Sequence, residues 1–236
     1  MTKGIFYAIG TGPGNPEMLT AQAARIIKSC ESIFFPATGR NTIALDSLAG
    51  MDLSGKNLIP CRLSMTRDEK KSSAEYEAFV KECAGFLEKG GSVAFLSVGD
   101  VSLYSSASRA AAMIRKSGFE VRFVPGVTSF SAAACSALLP LCGKNDKLSV
   151  IPADAFFEGD KLRAALEDEG TKVLMKAGRH LEETVLLLSS LGLIQGATLV
   201  RRAGTESERI FRGEEIMRLP DEAFEDPYLS VLIVRN

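Results

Sequence analysis

The stretch that most restricts how this chain can fold is residues 5–20. An apolar run at 5–9 enters a loop with glycine at alternate positions, Gly10, Gly12 and Gly14, and a helical pattern leaves it at Thr20. Strand, glycine loop and helix together let backbone approach a bound molecule, because glycine has no Cβ and the first amides of a helix lack partners. A dinucleotide fingerprint requires G-x-G-x-x-G. Here the third glycine comes one residue early. Pro13 and Pro16 stiffen the loop and remove two donors that a phosphate cradle would use. Alone, the loop suits either a ligand at the end of the first strand or a tight turn.

Beyond it the pattern alternates. Apolar runs at 32–35, 92–96 and 119–124 read as strands. Helical spacing links Leu19, Ala23, Ile26, Ile27 and Cys30, with Thr20 as N-cap. It links Tyr76, Phe79, Val80, Cys83, Phe86 and Leu87, with Gly90-Gly91 as the stop. Alanine-rich helices are expected at 105–117 and from Ser129 through Leu138. Residues 37–57 are mixed, and 65–73, polar and charged, read as a loop. After residues 143–146 the character shifts. Strands are expected at 148–151, 171–176, 197–201, 208–211 and 229–235, and helices at 161–167 and 181–191. The fold class is therefore α/β, with two α/β domains: 1–143 with a mostly parallel sheet, and 144–236 with a mixed sheet.

The 236 residues suit one large or two small domains, and 46% hydrophobic with 24% charged residues allows a substantial core. Net charge is −1, from 28 basic and 29 acidic residues, which gives no reason to expect nucleic acid or an anionic membrane as partner. Five cysteines (Cys30, Cys61, Cys83, Cys135, Cys142) form no C-x-x-C pair, which argues against a disulfide framework or zinc site and for the cytoplasm. The apolar run after Lys3 is too short for a signal sequence. Residues 123–143 carry no charge, but Pro125, Gly126, Pro140 and several serines break them up, so no spanning segment is expected.

Three loops share one geometry: 10–16, 99–103 and 126–129 each follow a strand at its carboxyl end. In an open parallel sheet those ends form one rim, where ligands bind. Asp100 can accept hydrogen bonds from a ligand or from its own turn, and Thr128 and Ser129 can serve a ligand or cap a helix. The sole histidine, His180, has no partner in view and reads as a surface or capping residue. There is no G-x-S-x-G, H-E-x-x-H or Walker loop. What remains is a reaction that needs mainly a bound reactive cofactor and alignment.

Taken together the loops resemble those of the tetrapyrrole (corrin/porphyrin) methyltransferases. The carrying motifs are Ile9-Gly-Thr-Gly-Pro-Gly-Asn-Pro with Leu19-Thr20, Gly99-Asp-Val-Ser-Leu-Tyr-Ser, and Val124-Pro-Gly-Val-Thr-Ser. Within the family the precorrin-2 C20-methyltransferases are most similar, through Leu63-Ser-Met-Thr-Arg-Asp, Ser149-Val-Ile-Pro-Ala, Val173-Leu-Met-Lys and Pro227-Tyr-Leu-Ser. Asn15 stands where the family usually has aspartate, and Val101 where it has proline.

The resemblance implies two α/β domains with S-adenosylmethionine folded in a cleft between them. Pro13, Asp100, Leu103, Thr128 and Ser129 would line it from the first domain, and Met175, Ala203, Leu229 or Ser230 from the second. It also implies a tetrapyrrole substrate, precorrin-2 or cobalt-factor II, and a homodimer. No catalytic base is implied, because a sulfonium methyl group is already activated. Arg40, Arg67, Arg109, Arg179 and Arg202 are candidates to hold the substrate's carboxylates. Rival readings are another family member acting at a different carbon, such as one acting on uroporphyrinogen III or precorrin-4, or on a protein side chain; a nucleotide-dependent oxidoreductase; and a non-catalytic tetrapyrrole carrier. The early third glycine opposes the oxidoreductase, and the poor supply of axial ligands opposes the carrier.

Overall fold

The computed structural model describes residues 2–37, 42–63, 69–157, 160–219 and 229–235, without the side chains of Glu69 and Arg179. The chain divides into two compact units, Met1–Thr128 and Ser129–Asn236. The expected boundary at 143/144 lies further along, beyond the helix Ser129–Ser136, which packs on the last strand of the second unit.

The first unit runs β1 (Ile5–Gly10), α1 (Ala21–Ser29), β2 (Ser32–Pro36), α2 (Ile43–Asp46), β3 (Asn57–Cys61), α3 (Glu69–Leu87), β4 (Val93–Ser97), α4 (Ser106–Lys116) and β5 (Glu120–Val124). The sheet order is β3-β2-β4-β1-β5, and every pairing is parallel. Parallel strands are joined by crossovers that cover both faces, so β4 is buried along its whole length. Alternation along β1 sends Phe6 and Ala8 to one core and Ile9 to the other. On the first face Phe79 of α3 meets Phe34 and Phe95 edge-on, with ring centres 5.3 and 5.1 Å apart. Such pairs contribute about 0.5–1.5 kcal/mol each beyond area burial. On the second face Ile9, Ile33, Leu96 and Val124 pack with Ala23, Ile26 and Ile27 of α1. The Thr20 side chain caps α1, accepting from the Ala23 amide at 3.1 Å.

Two expectations are corrected in this unit. Residues 69–73, read as loop, are the first turns of α3. Their charged residues are good helix formers, and Ser72 is buried, donor-linked to Arg109 across α3 and α4. The rest of that expected loop lies outside the described residues. The mixed segment 37–57 contains α2 and the start of β3. β3 is an edge strand, mostly exposed, where Pro60 costs the ladder little.

The second unit runs α5 (Ser129–Ser136), β6 (Leu148–Pro152), α6 (Ala153–Phe156), α7 (Lys161–Glu167), β7 (Thr171–Met175), α8 (Leu181–Ser190), β8 (Ala197–Arg201), β9 (Arg209–Arg212) and β10 (Ser230–Val234). Its sheet is mixed, in the order β6-β7-β10-β8-β9: β6 and β7 are parallel, and β10 runs antiparallel to both neighbours. Leu174, Leu199 and Leu232 meet Leu162 and Leu166 of α7 and Leu181, Val185 and Leu188 of α8. α5 ends before the expected Leu138, which has φ +52° and is 90% exposed. Residues 123–143 thus end β5, form α5 and turn. Among the described residues no helix is long and apolar enough to cross a membrane.

Candidate functional site

β4, β1 and β5 are parallel neighbours, so the three glycine-bearing loops leave the sheet at one edge of the first unit. There they bond to each other. The Gly12 amide donates to the Gly99 carbonyl at 3.2 Å, and the Gly99 amide donates back to Gly12 at 2.7 Å. A Cβ on Gly10 would lie 2.6 Å from the Gly99 oxygen and 2.7 Å from the Gly126 nitrogen. One on Gly126 would lie 2.3 Å from the Gly99 oxygen. The glycines are therefore required by backbone-to-backbone contact. Asn15 accepts from the Glu17 amide at 2.9 Å and caps the turn Pro16–Met18, while Val101 is buried in the aromatic core.

Asp100 ties the second loop to the third. One carboxylate oxygen accepts from the Ser102 amide at 2.8 Å and from the Ser102 hydroxyl; the other accepts from the Gly126 amide at 2.8 Å. Partial burial alone would raise its pKa, but the bonds from Ser102 and Gly126 outweigh burial and hold it below the usual carboxylate value. The turn role foreseen for Asp100 is thus occupied, although a carboxylate has further lone pairs for a ligand. Pro13, Leu103 and Thr128 belong to the same three loops; Pro13 is buried and the other two half-buried. Ser129 is the first residue of α5 in the second unit.

The second unit gathers its predicted residues through strand direction. Because β10 is antiparallel to β7 and β8, its start lies beside their ends: Val231 is level with Met175, and Ser230 with Arg201. Met175, Ala203, Leu229 and Ser230 therefore share one sheet edge. The Arg202 amide donates to the Leu229 carbonyl at 2.9 Å. The Ser230 hydroxyl oxygen is buried with no hydrogen-bond partner among the described residues. Lys176, Arg202 and Leu229, all on this edge, have φ of +56°, +50° and +61°. Non-glycine residues in that region cost about 1–3 kcal/mol each and concentrate at ligand sites. Nothing in Lys, Arg or Leu signals a left-handed backbone, so sequence reasoning missed this feature.

Other candidates go elsewhere. Arg109 stacks on Tyr76 at 4.3 Å and donates to Ser72 and Ser73, bracing α4 to α3. Arg40, Arg67 and the Arg179 side chain lie outside the described residues. His180 stacks flat on Phe157 at 4.1 Å and makes no side-chain cap. Among the described residues no three His, Cys, Asp or Glu side chains cluster to hold a metal.

Residues 6–215 match the family described as Tetrapyrrole (Corrin/Porphyrin) Methylases. The chain is 29% identical over 241 residues to the cobalt-precorrin-2 C(20)-methyltransferase of Salmonella typhimurium, covering 99% of this chain and 97% of that one. It is 29% identical to the precorrin-2 C(20)-methyltransferase of Sinorhizobium sp, covering 98% and 95%. In fold it resembles the uroporphyrin-III C-methyl transferase of Thermus thermophilus, crystallised with S-adenyl homocysteine, with TM-score 0.70 and 22% identity, covering 99% and 98%. With an all-parallel first sheet, a mixed second sheet and this match, the chain belongs to the tetrapyrrole (corrin/porphyrin) methylases.

Proposed function

We propose that this enzyme transfers a methyl group from S-adenosylmethionine to C20 of precorrin-2 or cobalt-factor II in cobalamin biosynthesis. The observation that carries the reading is likeness to C(20)-methyltransferases along nearly the whole length of both chains. The cofactor residues in this reading are Pro13, Asp100, Leu103 and Thr128 of the first unit and Ser129, Met175, Ala203, Leu229 and Ser230 of the second. The buried Ser230 hydroxyl fits such a ligand, since a polar cofactor atom would satisfy a group that the described residues leave unmatched.

Bound S-adenosylmethionine supplies an activated methyl group, so the protein's part is alignment and exclusion of water. The backbone-bonded loops of the first unit give a rigid edge suited to holding one geometry. Asp100, kept ionised by Ser102 and Gly126, offers its remaining lone pairs to hydroxyls. No side chain is assigned as a base. The reading includes a cytoplasmic homodimer, which sedimentation velocity would test.

S-adenosylhomocysteine at a hundredfold excess over its dissociation constant is expected to stabilise the protein by about 2.7 kcal/mol, read as a rise in melting temperature. Labelled S-adenosylmethionine with precorrin-2 or its cobalt form is expected to place the label on C20. No thermal shift would overturn the cofactor assignment, and label on another carbon would overturn the C20 assignment.

A further inference from the structure

We propose that Tyr104 is a specificity-determining residue whose aromatic ring, presented by a pinned loop on the rim of the first unit, packs against the tetrapyrrole. The inference rests on the methyltransferase reading above and names a substrate contact for it.

The first observation is conformational. Tyr104 lies in the loop that leaves β4 and has φ +49°. Gly12 and Gly99 on the same rim have φ +74°, a backbone that glycine adopts without strain. For a bulky side chain that region is an outlier, because Cβ crowds the neighbouring carbonyl oxygen. A tyrosine kept at such a position points to a task for its ring.

The second is how firmly the loop is held. On one side Val101 is buried in the aromatic core, and its carbonyl accepts from the Ser108 hydroxyl at 2.5 Å. On the other side Ser105 caps α4: its hydroxyl accepts from the Ala107 amide at 3.0 Å and meets the Ser97 hydroxyl at 2.8 Å. The Leu103 amide donates to the Asp100 carbonyl at 3.4 Å, and the Asp100 carboxylate is bonded to Ser102 and Gly126. Ser102, Leu103 and Tyr104 alone separate the two anchors, so the ring stands on a rigid base. A contact residue on such a base has less backbone freedom to lose when a ligand arrives.

The third is exposure and place. Tyr104 is 40% exposed, while Leu103 beside it is half-buried. Among the described residues it is the one exposed large hydrophobic side chain that the three rim loops carry. Leu103 is a cofactor residue in the reading above, and methyl transfer requires the substrate to lie directly against the cofactor. A tyrosine next to Leu103 in the chain, but facing solvent, stands on the side from which a substrate arrives. A tetrapyrrole offers broad apolar faces, and a flat aromatic ring supplies a large contact area to such a face.

The test uses the full-length enzyme with Tyr104→Phe, Tyr104→Ala and Tyr104→Gly. Methyl transfer to precorrin-2 and its cobalt form gives kcat and KM; calorimetry gives S-adenosylhomocysteine affinity; thermal melting reports the fold. Tyr104→Ala and Tyr104→Gly should both raise KM for the tetrapyrrole about tenfold, with kcat and S-adenosylhomocysteine affinity little changed. Tyr104→Gly should melt higher than Tyr104→Ala, because the strained Cβ is gone. Equal KM values in two variants of unequal stability would separate a contact role from a structural one. Tyr104→Phe keeps the ring and should keep the wild-type KM. An unchanged KM in Tyr104→Ala and Tyr104→Gly would overturn the proposal. So would a matching fall in S-adenosylhomocysteine affinity, which would put Tyr104 in the cofactor pocket. A Tyr104→Phe variant as impaired as Tyr104→Ala would also overturn it, by moving the contact from the ring to the hydroxyl. These outcomes defeat the inference alone; a wild-type enzyme that methylated no tetrapyrrole would defeat the broader reading, and the inference with it.

Discussion

Asp100 commits one carboxylate oxygen to its own loop and the other to the neighbouring one, so its first duty is to hold the rim in shape. Asp100→Asn exchanges one charged acceptor for an amide and weakens the bonds from Ser102 and Gly126. A loss of about 1–3 kcal/mol in urea unfolding is expected. The pH dependence has a definite sign. The folded pKa lies below its unfolded value, so the stabilisation is complete above the ordinary carboxylate pKa of about 3.9 and disappears as pH falls through the lower folded value. Wild-type protein should therefore lose its advantage over Asp100→Asn in acid; an advantage that stayed constant down to pH 2 would contradict this account. A Gly-Asp pair at a strand exit was readable in the sequence as an acceptor. Its partner Gly126 was not, because that contact depends on two strands lying side by side.

β7 carries an anomaly of a different kind. Lys172 is 0% exposed, shares a sheet face with Leu174, and its ammonium nitrogen has no hydrogen-bond partner among the described residues. Burial lowers its pKa; Asp168, after α7, opposes that shift, and Lys147 adds to it. Lys172→Met keeps the bulk and removes the desolvated charge, so it should stabilise the protein by about 1–3 kcal/mol near pH 7. Because the folded pKa is depressed, the wild-type penalty is full below that pKa and vanishes as pH rises through the unfolded value of about 10.4. The variant's advantage should shrink in alkali, and a lower melting temperature at pH 7 would refute the argument. Most elements were legible because their apolar patterns are strong: α7 and β8 match their expected limits, and α1 its expected cap. β3 was not, since an exposed edge strand with a proline has little alternation to read. The start of α3 was missed because polar residues form solvated helix as readily as loop.

The two units have separate cores, with no residue shared between the aromatic cluster around Phe79 and the cluster around Leu174. Asp100 and Lys172 likewise share no partner. Asp100→Asn and Lys172→Met should therefore be additive in a double variant, within about 0.5 kcal/mol of the sum of the single effects. A larger discrepancy in urea unfolding would show coupling that the separate cores do not predict. At this scale the order of strands and helices was legible, and with it a parallel sheet followed by a mixed one. The assignment of α5 to the second unit was not, because its alanines, Ala132, Ala133 and Ala134, are compatible with any close-packed surface. At the first unit's edge, meanwhile, Gly10, Gly99 and Gly126 meet through main chain alone. Where the glycines themselves meet, there is no room for a side chain to adjust. Change in chemical preference must therefore come from flanking positions, and the turns can keep one outline while their neighbours vary.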